Sequence, residues 1–406
     1  MEIKLISGSV SAPKGFTASG VHCGIRKSRT KRDLALIYSE KPCAAAAVYT
    51  TNKVKGAPIL VDRKNLADGK AQAVICNSGN ANTCNANGIE IAEGMCALVG
   101  KELNIDPTDV IVASTGVIGQ PMTLDPIAAG IPELAKALAK DGDTNASEAI
   151  MTTDTVKKEV AISFTIGGVE CKMGAIAKGS GMIHPNMATM LGFVTTDAAI
   201  TPALLQKALS ASVADTYNMV SVDGDTSTND TVAVLANGMS SAPMIETEGE
   251  DFDAFCQALT FVNEKIARLM ASDGEGATKL LVVKVSGAVD VAAAKTIAKS
   301  VCCSSLFKAA MFGADANWGR VLCAIGYADA PVDVTKVAVS FASAAGVVDV
   351  CQNGAGIPFS EEIAKTVLTE KEIDVIITLG DGEACATAYG CDLTYDYVKI
   401  NGDYRT

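Results

Sequence analysis

Thr189 lies in the run MIHPNMATMLGF (residues 182–193), flanked by Met187, Ala188, Met190 and Leu191, with Lys178, Gly179, Ser180 and Gly181 just upstream. A Thr among small and apolar neighbours is commonly a core residue bonding a nearby carbonyl. The Lys-Gly-Ser-Gly and Pro-Asn stretches that precede it are loop signals instead. A Thr can act as a nucleophile with no other side chain if the chain is cut just before it, because the freed α-amine then serves as its base. Such an amine titrates near pH ~8 and is able to accept a proton close to neutrality. The cut requires a small residue ahead of the Thr, so that the hydroxyl can approach the preceding carbonyl, and Ala188 is small. From these features alone a packed Thr and a reactive Thr both stand, and the packed one is the commoner.

Other chemistries find less support. The chain has two histidines, His22 and His184; neither accompanies a GxSxG elbow or a recognisable Cys–His setting. His22 reads as structural. The Pro185-Asn186 turn leaves the direction of His184 open. The acidic turns Asp223-Gly224-Asp225 and Asp273-Gly274-Glu275 match no full calcium loop and read as solvated corners. Lys178-Gly179-Ser180-Gly181 carries its Lys before the glycines, whereas a P-loop carries it after them. Thr115-Gly116-Val117-Ile118-Gly119 lacks dinucleotide-fingerprint spacing. No metal or cofactor is expected.

A formal charge of −12 excludes the basic stripe of a nucleic-acid partner. The densest basic stretch, Arg26 to Arg32, runs straight into Asp33 and has no aromatic interleaving. The 13 cysteines include no CxxC pair and read as buried free thiols of a reducing compartment. No stretch reads as a signal peptide or membrane helix, which predicts a cytosolic protein without membrane partners.

The elements that must hold such a site are mixed. Val160, Ile162, Phe164 and Ile166 share one face before Gly167-Gly168, and alternation resumes over 169–176, predicting a hairpin that feeds the Lys178 loop. Helices are predicted over 202–217, with Thr201 as N-cap, and over 251–271 and 291–298. Short strands are predicted over 231–236 and 280–285, and a final strand over 396–400. At 406 residues two or more lobes are expected. The pattern is α+β, with strands mostly in hairpins.

Lys178 to Ile183 followed by Pro185-Asn186-Met187-Ala188-Thr189-Met190-Leu191 resembles the self-cleavage region of the ornithine acetyltransferases, the glutamate N-acetyltransferases of arginine biosynthesis. Further blocks follow in that family's order: 12–16 and 31–36, 77–82, Ser114 to Gly119, Met151 to Thr155, Asp273 to Lys279, 313–320 and Asn401 to Thr406.

The resemblance implies self-cleavage between Ala188 and Thr189. It would give an α chain (1–188) and a β chain (189–406), assembled as a heterotetramer of two each. Thr189 would be the nucleophile, taking acetyl from Nα-acetylornithine and passing it to glutamate by ping-pong transfer. Thr115 and Gly116 match the family's oxyanion hole. Thr152, Lys178, Glu275, Asn401 and Thr406 match its substrate contacts, together with Thr189. A binding role for Thr406 predicts an anchored C-terminus. Some members also use acetyl-CoA as donor. The implied fold is a layered αββα-type sandwich of the ornithine acetyltransferase and DmpA-like class. The nucleophile would sit at a sheet edge where both chains meet, and a smaller C-terminal α+β lobe would begin near residue 280. An aminopeptidase or amidase of the same fold, with water as acceptor, is the rival reading.

Overall fold

The structure, a computed structural model, describes residues 2–184 and 190–402. Ala188, Thr189 and Thr406, named above, lie outside the described residues. Strands β1 (Lys4–Ile6), β2 (Phe16–Val21), β3 (Leu34–Tyr49), β4 (Lys70–Asn80), β5 (Val110–Val117), β6 (Lys158–Ile166), β7 (Val169–Lys178) and β8 (Leu191–Thr196) join β10 (Thr231–Ala236) in a nine-stranded sheet. Its order is β1-β6-β7-β8-β10-β3-β4-β5, with β2 also on β3.

The long β3 makes this sheet into two layers. Its first part, Leu34 to Tyr38, lies between β2 and β4, and its second, Ala44 to Tyr49, pairs with β10. Between them the register shifts over Tyr38 to Cys43. Ile37, Val74 and Ile111 from one layer share a core with Ile176, Phe193 and Leu235 from the other. The outer face of the β6–β7–β8–β10 layer packs on helices Pro202–Asp215 and Glu250–Ser272, through Phe164, Val194 and Val234 against Leu205, Phe255 and Leu259. The opposite outer face packs on helices Gly88–Leu103 and Asp125–Lys136, through Leu36, Ile75 and Val112 against Ile91, Met95 and Ile131. The result is an αββα sandwich. Strands covered on both faces have no reason to alternate, which is why Thr231–Ala236 is buried throughout.

A smaller lobe is built on a seven-stranded sheet of β9 (Val220–Ser221), β11 (Leu280–Ala288), β12 (Ala338–Ser343), β13 (Gly346–Gln352), β14 (Ala355–Gly356), β15 (Glu372–Thr378) and β16 (Ala384–Cys391). Its order is β14-β13-β12-β15-β11-β16-β9, and it has its own core around Val283, Ile297, Phe307, Phe341 and Val375.

The expected hairpin is β6–β7, turning at Gly167 and Gly168, both at positive φ. The helices and strands expected over 202–298 are present. Thr201 stands at the N-cap without a side-chain bond; Pro202 at the first helical position starts that helix.

Several expectations are corrected. Residues 396–400 belong to a helix, Tyr395–Gly402, rather than a strand. Thr394 Oγ1 accepts from Tyr397 N, Asp396 and Lys399 suit the helix ends, and β16 is already flanked by β11 and β9. Beside the antiparallel pairings, β4–β5, β8–β10, β11–β15 and β16–β9 are parallel. The strand β8, Leu191–Thr196, is interior, between β7 and β10; the expected place of the nucleophile at a sheet edge falls on Thr189, outside the described residues. Cys84, Cys323 and Cys385 are exposed, so the free thiols are not uniformly buried.

Candidate active site

Thr115 and Gly116 close β5, where its parallel register with β4 becomes irregular at Gly79 and Asn80. Gly116 has φ +130°, and a Cβ there would stand 2.4 Å from Gly79 C and 2.6 Å from Asn80 N. Only glycine permits this approach of two backbones. Asn229 fixes the turn from the other side, donating from Nδ2 to the carbonyls of Ala81 (2.5 Å) and Ser114 (3.0 Å). Its Oδ1 accepts from Thr83 Oγ1 at 2.6 Å. All these groups are buried, so the peptide leading into Thr115 is held rigidly.

Lys178 ends β7 and is buried. Its Nζ lies 3.9 Å from Asp154 Oδ2. Burial pushes the Lys178 ammonium down from its usual value, with Asp154 opposing that. Burial would raise Asp154, but Lys178 and Lys158 overrule it and hold the carboxyl well below the usual carboxylate range. Asp154 also accepts from Thr152 N (2.9 Å) and Gly179 N (2.7 Å), so one carboxylate ties together three walls of the site. Lys158, fully buried, bridges Asp154 (2.7 Å) to Asp273 (2.6 Å).

Asp273 starts the loop that carries Glu275. Ser180 Oγ donates to the Asp273 carbonyl (2.6 Å), and Glu275 N donates to the Ser180 carbonyl (3.0 Å). A Cβ on Gly181 would meet the Glu275 carboxylate at 2.3 Å, so the absent side chain is what lets that carboxylate in. Asn401 Nδ2, on the Tyr395–Gly402 helix, donates to Glu275 Oε2 at 2.7 Å. Asp273 and Glu275 are therefore buried groups rather than solvated corners. Asp225 is exposed as expected, whereas Asp223 is part-buried and clamps the backbone, accepting from Met182 N (2.6 Å) and Ile183 N (2.9 Å).

Thr115, Gly116, Thr152, Lys178, Glu275 and Asn401 line one cavity of about 620 Å³. Ala188, Thr189 and Thr406 lie outside the described residues, but both flanks of 185–189 reach an adjoining cavity that shares Thr115 and Lys178. Val222 N donates to Ile183 O (2.7 Å), and Thr226 Oγ1 to His184 O (2.8 Å). On the other flank Thr231 N donates to Met190 O (2.8 Å), and Ile183 and Met190 line that adjoining cavity with Thr115 and Lys178. His184 turns to Ser221 Oγ (3.1 Å) and Cys303 Sγ (3.4 Å); burial lowers it to about 4, leaving it neutral near pH 7. His22 contacts the Lys31 carbonyl and Asp33, a structural setting.

A model of the ArgJ family matches residues 17–406. The arginine biosynthesis bifunctional protein ArgJ of Caldanaerobacter subterraneus subsp. tengcongensis is 52% identical over 405 residues, covering 100% of both chains. The chain belongs to the ArgJ family. Like its relatives there, it is an acyltransferase of arginine biosynthesis. ArgJ 1 of Clostridium acetobutylicum is 51% identical over 392 residues, 96% of each chain. The crystal structure of the Bacillus halodurans ArgJ is similar with a TM-score of 0.50 and 43% identity, over 52% of this chain and 98% of that one.

Within this ArgJ site, Asp154, Asp223, Asn229 and Asp230 carry no role in the motif reading above. Asp154 stands inside the quoted Met151–Thr155 block; of its two lysine partners Lys158 is local, at i+4, and Lys178 is distant in sequence. Asn229 and Asp230 directly precede the apolar strand 231–236, where polar residues are ordinarily read as turn.

Proposed function

We propose that this chain is a glutamate N-acetyltransferase that moves acetyl from Nα-acetylornithine to glutamate through an acetyl-Thr189 intermediate. The observation that carries the reading is the convergence of the Thr115–Gly116 turn, Lys178 and the Glu275–Asn401 pair on one cavity, next to a second that shares Thr115 and Lys178 and is lined by Ile183 and Met190. Thr189 Oγ attacks the acetyl carbonyl with its own α-amine as base. The resulting oxyanion is held at Thr115 and Gly116, ornithine leaves with the proton, and glutamate then takes the acetyl group by the reverse steps. Lys178 suits the substrate carboxylate and Glu275 the ornithine ammonium.

The chain cuts itself at Ala188–Thr189 in this reading, and the two products, 1–188 and 189–406, assemble as a heterotetramer of two each. Incubation with acetylornithine, with and without glutamate, tests the transfer. Acetylglutamate should form only when both are present. Ornithine release indifferent to glutamate would instead make the protein an amidase.

Removing the Lys178 charge should raise the KM for both amino-acid substrates about 10- to 100-fold, the loss of a charged hydrogen bond of roughly 1.5–3 kcal/mol. Steady-state kinetics of Lys178→Met read this directly, and unchanged KM values would take Lys178 out of substrate binding.

Acetyl-CoA is a second donor in this reading. A larger open cleft of about 1810 Å³ shares Gly116, Thr152 and Thr153 with the acyl cavity and runs out past Lys27 and Lys31. Those lysines suit a phosphorylated tail. The double variant Lys27→Glu/Lys31→Glu is expected to raise the KM for acetyl-CoA at least tenfold and leave that for acetylornithine within twofold, on the scale of about 1 kcal/mol or more for two reversed charges near a phosphate. Equal effects on both donors, or none on either, would remove the cleft from acetyl-CoA binding.

A further inference from the structure

The α-amine that serves as base during transfer does not exist before the cut. In the precursor that nitrogen is the scissile amide of Ala188–Thr189, whose lone pair is delocalised and not basic. The first acyl shift therefore needs another proton acceptor in the cavity.

Asp230 fits that need. It lies directly before β10 and is 1% exposed. It lines the cavity beside Thr115, Lys178, Met190 and Asn229. Its Oδ2 is buried with no hydrogen-bond partner among the described residues. The strand register sets it beside the described residues that follow Thr189 in the chain: Thr231 pairs with Leu191 in parallel, and Thr231 N holds the Met190 carbonyl at 2.8 Å. The groups that face the carboxyl are Ser227, Thr50, the Lys178 ammonium and the backbone amide of Met190, the residue next to Thr189. Burial pushes this carboxyl well up from its ordinary value, while Ser227, Thr50, the Lys178 ammonium and the Met190 amide favour its ionised form; the raised value makes the fraction that is ionised a stronger base than a surface carboxylate.

We propose that Asp230 is the base of self-cleavage, a task distinct from the transfer cycle that follows. The inference rests on Thr189 being the nucleophile. The Thr189 O–H bond breaks and its proton passes to the Asp230 carboxylate as Oγ bonds to the Ala188 carbonyl carbon. The Ala188 C–N bond then breaks, and the nitrogen recovers the proton from Asp230 to become the α-amine. Water hydrolyses the ester left on Oγ, restoring the Thr189 hydroxyl and freeing the Ala188 carboxyl.

The test follows the full chain by denaturing electrophoresis from the time of its synthesis. Asp230→Asn is expected to cut at least about 100-fold more slowly than wild type, within the range a positioned acid–base group contributes. Asp230→Glu, which keeps a carboxyl, should cut faster than Asp230→Asn. Asp230→Ala should regain cutting as formate is added. Wild-type cutting by Asp230→Asn overturns the proposal. So does an Asp230→Ala chain that melts like wild type and ignores formate, or a Glu variant no faster than Asn. A Thr189→Ala chain that is still cut overturns the reading of Thr189 instead.

Discussion

Thr189→Ala is expected to run as one band of the full 41.7 kDa and to lose acetyl transfer by roughly four to six orders of magnitude. Both losses have one cause. In the proposed mechanism the hydroxyl is the atom that takes the Ala188 acyl group in the cut and the acetyl group in the transfer. Without it the amide survives, and the α-amine that would serve as base is never released. Removing the hydroxyl should cost little folding stability, so a melting temperature close to wild type separates lost chemistry from lost structure. Thr189→Ser keeps both the hydroxyl and the nascent amine, and should therefore be cut and active. A cut Thr189→Ala chain, or one that still forms acetylglutamate at a wild-type rate, would end the assignment of the nucleophile. The two readouts differ: denaturing electrophoresis reports the bond, and acetylglutamate formation reports the turnover.

What the residues disclose about such a site depends on how local its cause is. The β6–β7 hairpin was legible because alternation and a Gly-Gly turn lie within 20 residues of one another. The strand 231–236 was legible as a short apolar run. The layering was not. It comes from β3 passing through both layers, across a polar stretch, Ser39 to Pro42, that reads in sequence as a break. The last helix was missed because its apolar residues Tyr395 and Val398 face solvent, so periodicity had no core to report.

The same division holds in the site. Thr115, Gly116, Thr152, Lys178, Glu275 and Asn401 were named from the resemblance, and among the described residues they meet in one cavity. Their supports are pairings between distant positions. Asp154 with Lys178, Lys158 with Asp273, and Glu275 with Asn401 join β7, the 273–278 loop and the last helix. Asp273-Gly274-Glu275 has turn composition, so its burial is visible only once Lys158 is seen against it. The buried Lys158 matters for the same reason: without its ammonium Asp273 would lose its ion-pair partner in a dry interior, and Asp154 would keep only Lys178 at 3.9 Å.

Gly116→Ala should be the most damaging single methyl in the protein for turnover, lowering kcat by about a thousandfold or more. Two costs act together. At φ +130° an L-residue is strained by roughly 1–3 kcal/mol. The added Cβ would also lie 2.4, 2.6 and 2.7 Å from Gly79 C, Asn80 N and Gly79 O. Those are backbone atoms of β4, paired in parallel with β5, and cannot swing aside as a flexible side chain could. The end of β5 must therefore shift, carrying the Thr115–Gly116 turn away from where the oxyanion of the proposed transfer would develop. Loss of one oxyanion donor alone costs roughly two to three orders of magnitude in kcat. A displacement of about 1 Å costs about 100-fold more through lost alignment. The proposed cut at Ala188–Thr189 would pass through a tetrahedral intermediate of the same charge, so it should slow in step with transfer. Parallel measurement of cutting rate and kcat, with a thermal melt to register the strain, separates this from plain unfolding. A Gly116→Ala chain that is cut promptly and turns over within tenfold of wild type would place the oxyanion elsewhere.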